Sequence, residues 1–185
     1  MINDIKADAK DKMDKSVDAF IQAIRKIRTG RAHPSLLDDV MVPYYGTPTQ
    51  LKQLANLGVE DGRTITVSPW EKHIINDIDK AIRSANLGLN PSNTGDLIRV
   101  PLPALTEDSR RDLSKVAKSE AENAKISIRN ARRDANNDIK ELEKEKEISE
   151  DDQRRAEDEI QKLTDKVVKK IDELLVEKET EIMTV

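Results

Sequence analysis

The sequence predicts an α+β fold, an elongated antiparallel three-helix bundle that carries a small inserted α/β domain with strands on either side of one helix. Apolar residues recur in steps of three and four at both ends of the chain, which is the period of an amphipathic helix. Between residues 31 and 104, short β-branched runs and Gly and Pro turn signals replace that period. Aromatic residues make up only 2% of the 185 residues. Long helices that share a narrow aliphatic seam are therefore favoured over an aromatic core.

The first helix is expected to begin after Asn3, whose side chain suits an N-cap, and to end at Gly30. Arg25, Lys26 and Arg28 lie where cations favour the negative end of a helix. The predicted buried stripe comprises Ile5, Ala9, Met13, Val17, Phe20, Ile24 and Ile27.

The second helix is expected to start at a Thr106 cap and to run for about 40 residues, roughly 60 Å. The third is expected to start at Ser149, where acidic residues follow in a pattern that resembles a capping box. A short turn separates the two helices, so they should be antiparallel. The predicted stripes are Leu113, Ala117, Ala121, Ala124, Ile128, Ala131, Ala135, Ile139 and Leu142, then Ala156, Ile160, Leu163, Val167, Ile171 and Leu174.

The middle of the chain is expected to form the inserted domain, residues 31–104, between bundle segments 1–30 and 105–185. Residues 40–45, 63–67 and 97–100 are typical of strands, and residues 71–85 of a helix with one apolar face. The domain is joined to the bundle by two short stretches of chain. Because Pro101 and Pro103 stiffen one of them, the two joints should form a directional hinge.

Composition argues against several classes of function. The chain has no cysteine, a net charge of −4, no apolar run of signal-peptide or membrane-spanning type, and only two histidines, His33 and His73. Neither histidine has a nucleophile or metal-ligand spacing beside it, and no Gly-rich phosphate loop is present. We therefore expect no enzyme, no metal and no cofactor.

Local charge separation is the strongest functional signal from the residues themselves. Residues 110–133 contain eight basic and three acidic side chains, whereas residues 141–159 contain ten acidic and four basic ones. Arg129, Arg132 and Arg133 share one side of a helix, and the guanidinium fork suits phosphate. An RNA-facing surface is one interpretation, and a solvated helix face with ordinary ion pairs is the other.

Several segments, in the same order along nearly the whole chain, resemble bacterial ribosome recycling factors. They are residues 26–38, 44–48, 96–103, 105–107 and 129–136. The resemblance implies an L-shaped, tRNA-like outline and a cytoplasmic, monomeric factor that binds in the intersubunit space of the ribosome. It also implies action with elongation factor G and GTP to split the post-termination ribosome and free it from mRNA, with no membrane partner.

The same resemblance assigns roles to residues. It implies that the bundle contacts large-subunit rRNA through Arg28, Arg31, Arg110, Arg129, Arg132 and Arg133, with Arg132 foremost. It implies a hinge at Gly30, Arg31, Ala32, Pro101, Pro103, Ala104 and Leu105. Two positions depart from the family pattern: His33 replaces a small polar residue, and Ser109 replaces a residue that is often basic, for which Arg111 could substitute.

Two alternatives from other classes remain at this point. A coiled-coil or chaperone-like protein would bind helices through apolar seams, and salt would affect that binding little. An enzyme with its site in the inserted domain would need a polar cleft with convergent titratable groups. An rRNA-binding factor, by contrast, should bind less tightly as salt rises.

Overall fold

The computed structural model describes residues 1–184 and confirms the α+β class, with long helices and a small sheet unit. The chain divides into two compact units, Met1–Ile27 with Arg111–Ile182, and Arg28–Arg110 with Met183 and Thr184. The helices and strands in chain order are α1 (Ile2–Arg25), β1 (Met41–Tyr44), β2 (Thr47–Gln50), β3 (Ala55–Glu60), β4 (Thr64–Pro69), α2 (Ile75–Ser84), β5 (Ser92–Asn93), β6 (Ile98–Pro101), α3 (Glu107–Lys144) and α4 (Glu150–Met183).

The first unit is a bundle of α1, α3 and α4. Lys6 near the start of α1 pairs with Glu159 near the start of α4, so these two helices run in the same direction. The hydroxyls of Ser16 and Ser127 lie 2.8 Å apart across α1 and α3. Lys118 of α3 lies beside Glu179 of α4, and Arg132 beside Gln161, so α3 runs against α4 and hence against α1. Their shared core is aliphatic and rich in alanine, and it includes Met13, Val17, Phe20, Ile24, Ala117, Ala121, Ala124, Ile128, Ala131, Val167 and Ile171.

The predicted caps of the two long helices are confirmed. The Thr106 hydroxyl accepts the backbone N–H of Ser109 at 3.0 Å. The Ser149 hydroxyl accepts the N–H of Asp152 at 3.0 Å, and the Asp152 carboxylate accepts the N–H of Ser149 at 3.2 Å. This reciprocal pair is a capping box in which aspartate replaces the usual glutamate.

Both predicted ends of α1 are wrong. Met1, not Asn3, is the N-cap, and the helix stops at Arg25, well before Gly30. The N–H of Ile27 bonds to the carbonyl of Ile24 at 3.1 Å, so a tight turn follows the helix and still buries Ile27. Because this turn keeps the three-residue spacing of the stripe, the apolar pattern did not reveal that the helix had ended.

The second unit contains two antiparallel sheets, a β1–β2 ribbon and a four-stranded sheet in the order β3-β4-β6-β5. The three predicted strands correspond to β1, β4 and β6, while β2, β3 and β5 were not predicted. Helix α2 starts at Ile75, because residues 72–74 form a separate 3₁₀ turn that holds His73. The sheets and α2 enclose one core, which includes Leu37, Val42, Leu51, Ile65, Val67, Ile78, Ile82, Ile98 and Val100.

Candidate nucleic-acid interface

One flank of α3 carries a row of basic side chains beside α4. Three cross-helix contacts define this flank: Lys118 lies 3.7 Å from Glu179, Lys125 pairs with Asp172, and Arg132 bonds to Gln161. The small alanines of the α3 stripe are buried in the bundle core, which leaves the long basic side chains at its edge. We call this row, with Arg129 and Arg133, the α3 basic flank.

The three predicted α3 arginines differ in their partners. Arg129 Nη1 lies 3.3 Å from Glu122 Oε1, in an ion pair within α3. Arg132 Nη1 donates to Gln161 Oε1 at 3.3 Å. Arg133 is exposed and makes no hydrogen bond or ion pair with any residue from 1 to 184. Neither Arg132 nor Arg133 therefore forms an ion pair among the described residues.

The other three predicted arginines belong to the second unit. The Nε atoms of Arg28 and Arg110 are buried and have no hydrogen-bond partner among the described atoms. Burial lowers the pKa of the Arg28 guanidinium, although an arginine still carries its charge at neutral pH. Arg31 is exposed, and its backbone N–H is 3.3 Å from the Thr29 hydroxyl. These two Nε donors are therefore unpaired among the described residues but closed off from the surface, whereas the Arg31 side chain is exposed.

The predicted hinge residues, and Leu102 between two of them, differ in their bonding. Ala32 is buried and donates its N–H to the Gly62 carbonyl at 2.8 Å, while Leu102 donates to the Arg63 carbonyl at 2.9 Å. Pro101 closes β6 opposite Thr64. The remaining predicted hinge positions lie outside strands and helices: Gly30, Arg31, Pro103, Ala104 and Leu105.

The two positions at which the resemblance implies a departure, His33 and Ser109, make local contacts in the structure. His33 Nδ1 accepts the Ser35 N–H at 3.1 Å and caps the 3₁₀ turn Pro34–Leu37. Ser109 provides the N–H that Thr106 caps at the start of α3. The His33 side chain and the Ser109 backbone N–H therefore each take part in a cap at the start of a helical segment.

The sequence did not predict which side chains bond to Arg129 and Arg132. Glu122 lies seven residues before Arg129, outside the three- and four-residue spacings that mark neighbours on a helix. Gln161 lies on another helix, so no local signal connects it to Arg132.

No group of three or more His, Asp or Glu residues able to hold a metal ion occurs in the described part of the chain. Nor do residues 1–184 contain a helix with the length and apolarity that crossing a membrane requires.

These features place the chain among α+β proteins in which a long three-helix bundle carries a small antiparallel sheet unit inserted after its first helix. The model of the family described as ribosome recycling factor matches residues 20–183. The chain belongs to the ribosome recycling factor family.

Relatives and solved structures agree with this assignment. Ribosome-recycling factors of Acinetobacter baylyi and Thioalkalivibrio sulfidiphilus are each 59% identical over 130 residues, which is 70% of this chain and 70% of theirs. A ribosome recycling factor solved in solution is 40% identical, with a TM-score of 0.80 over 100% of this chain and 98% of its own. A T. thermophilus factor is 41% identical with a TM-score of 0.70, covering both chains completely; it belongs to models with E. coli elongation factor G bound to the E. coli post-termination complex.

Proposed function

We propose that this protein recycles ribosomes after translation termination. It binds the post-termination ribosome between the subunits and, with elongation factor G and GTP, splits it and releases it from mRNA. The observation that carries this proposal is the family match over residues 20–183, supported by the T. thermophilus factor placed with elongation factor G on a post-termination complex.

In this proposal the bundle, residues 1–30 and 105–185, is the rRNA-binding part. Arg129, Arg132 and Arg133 of the bundle contact phosphates of large-subunit rRNA, and Arg28, Arg31 and Arg110, which belong to the second compact unit, add further contacts. Such contacts position a protein on RNA without reading its sequence. They release counterions, so binding should weaken steeply as salt rises.

The inserted domain, residues 31–104, moves on its two joints when elongation factor G acts. Hydrogen bonds from Ala32 and Leu102 fasten the chain to the β3–β4 turn, so we place the flexible positions outside those bonds. Residues 28–31 and 103–105 then carry the change in backbone angles, consistent with a hinge made of a few segment-terminal residues.

The mechanism needs no catalysis by this chain. A factor shifts a conformational equilibrium only by the difference in its affinity for the two states. We infer that the bundle binds more tightly to a ribosome whose intersubunit contacts are weakened, and that elongation factor G hydrolyses the GTP. We expect the protein to act as a cytoplasmic monomer.

Light scattering tests the proposal. Post-termination ribosomes of Acinetobacter baylyi are mixed with this protein, elongation factor G of that organism and GTP. Scattering should fall only when all three additions are present, because smaller particles scatter less light. An unchanged signal with a matched elongation factor G would contradict the proposal, and binding insensitive to salt would favour the coiled-coil alternative.

A further inference from the structure

We propose that Gln161 is a positioning residue for Arg132: it holds the guanidinium in place without neutralising its charge, so that the charge remains available to an RNA phosphate. This assignment rests on the proposed function, in which Arg132 contacts rRNA. Gln161 lies on α4, within the residues 20–183 that the family model matches.

The geometry links three side chains in series. Arg132 Nη1 donates to Gln161 Oε1 at 3.3 Å, and Gln161 Nε2 donates to Asp165 Oδ1 at 2.8 Å. An ionised carboxylate can only accept hydrogen bonds. Asp165 therefore selects the amide orientation in which Nε2 faces the carboxylate and Oε1 faces Arg132.

The order of groups decides the charge that an incoming phosphate meets. A neutral amide lies between Arg132 and the carboxylate of Asp165, and no Asp or Glu oxygen of the described residues lies within 4.0 Å of the Arg132 nitrogens. Arg132 thus has a neutral hydrogen-bond partner and no ion pair among the described residues.

Neighbours on the same flank show the contrast. Arg129 pairs with Glu122, and Lys125 pairs with Asp172. The charge of each of these cations is already partly offset by a carboxylate, so a phosphate gains less from binding it. Arg132 bonds only to a neutral amide, and because its guanidinium has five N–H donors it can keep Gln161 while other donors bind phosphate.

The substitution Gln161→Glu tests the role of neutrality because it keeps size and reach and adds one negative charge. The matched control is Gln22→Glu, an exposed position on α1 with the same change in net charge. Binding of each variant to isolated large ribosomal subunits of Acinetobacter baylyi is measured across a range of salt concentrations.

Gln161→Glu should weaken binding about fivefold at low salt, as an exposed ion pair of ordinary strength would. It should also reduce the slope of log affinity against log salt by up to about one, because one phosphate contact is partly lost. Gln161→Ala removes the hydrogen bond to Arg132 and leaves the net charge of the protein unchanged. It should leave the slope of log affinity against log salt unchanged and weaken binding about twofold.

Arg132→Ala separates this inference from the proposed function. If Arg132→Ala weakens binding but Gln161→Glu behaves as Gln22→Glu does, the role of Gln161 is wrong and the rRNA contact stands. If Arg132→Ala itself has no effect, both assignments fail. In the supporting outcome, Gln161→Glu adds no further loss when Arg132 is already alanine, because the two act through one contact.

Discussion

Arg129 and Glu122 form an ion pair across two turns of α3, with Nη1 and Oε1 3.3 Å apart and side chains 41% and 58% exposed. An exposed pair of this kind contributes little to stability, about 0–1 kcal/mol. Its larger consequence concerns binding, since a phosphate must compete with Glu122 for the same guanidinium.

Glu122→Gln should therefore raise affinity for large ribosomal subunits by about two- to threefold, a gain within the strength of an exposed ion pair. The measurement is equilibrium binding at low salt. Glu120→Gln serves as the control, because it changes net charge equally but removes no ion pair with Arg129. Equal gains in both variants would mean that only net charge matters.

The capping box of α4 makes a prediction about pH. The Ser149 backbone N–H and hydroxyl, together with nearby Arg155, hold the pKa of the Asp152 carboxyl below its usual value. A lowered folded-state pKa gives stability that is present above the unfolded value, about 3.9, and is lost as pH falls through the folded pKa. When the pH is lowered from about 6 to about 3, the Tm of Asp152→Asn should therefore fall by less than the Tm of the unaltered protein. Equal losses would show that the carboxylate does not stabilise the cap.

The Ser149 hydroxyl also stabilises the start of α4 through a bond to the backbone. Ser149→Ala leaves the N–H of Asp152 without its acceptor and should lower the free energy of unfolding by about 1 kcal/mol. Chemical denaturation measures this change. Ser119→Ala, an exposed position within α3, should cost nothing; if it costs as much as Ser149→Ala, the cap is not the cause.

Gly30 is required by a close approach and not as a helix stop. A Cβ built on Gly30 would lie 3.2 Å from the Thr184 carbonyl oxygen, and its φ is not in the left-handed region. Gly30→Ala should cost about 1 kcal/mol of unfolding free energy, as mild overpacking does, and should shift the Thr184 amide resonance. The cost should vanish in a chain that ends at Ile182. A cost that persists in the shortened chain would show that the added Cβ is strained against a group other than Thr184. Helix α1 should be unchanged in both proteins.

His33 makes a prediction for the start of the second unit. His33→Ala removes the acceptor of the Ser35 N–H and should destabilise the unit by about 0.5–1 kcal/mol. His33→Ser should be close to neutral because the serine hydroxyl can accept the same N–H. Thermal unfolding compares them, and equal Tm values for the two variants would contradict a capping role.

The sequence predicted the helices best where burial repeats over many turns. Every predicted stripe residue from Ala9 to Ile27 is buried, because a period of 3.6 repeated that often leaves little choice of face. The end at Gly30 failed because a tight turn preserves the same spacing. The strand β2 was missed because Thr47 and Pro48 match turn signals equally well; Pro48 pairs with Pro43 in a ribbon whose register depends on distant packing.

The candidate site was predictable only in part. Spacing alone places Arg129, Arg132 and Arg133 on one side of a helix. Their availability depends on Glu122 and on Gln161, and the latter reaches Arg132 from another helix. Gln161 lies beside Arg132 because of the way α3 and α4 pack together. The local sequence pattern of neither helix specifies that packing.

The most direct test of the account is the splitting rate of Arg132→Ala, measured by light scattering with Acinetobacter baylyi post-termination ribosomes, elongation factor G and GTP. Lys169→Ala, an exposed cation of α4 paired with Glu173, is the matched control. We predict that Arg132→Ala folds normally, binds large subunits about tenfold more weakly as expected for loss of a charge-assisted bond, and splits ribosomes more slowly at limiting concentration. Splitting at the rate of Lys169→Ala across all concentrations would contradict the account.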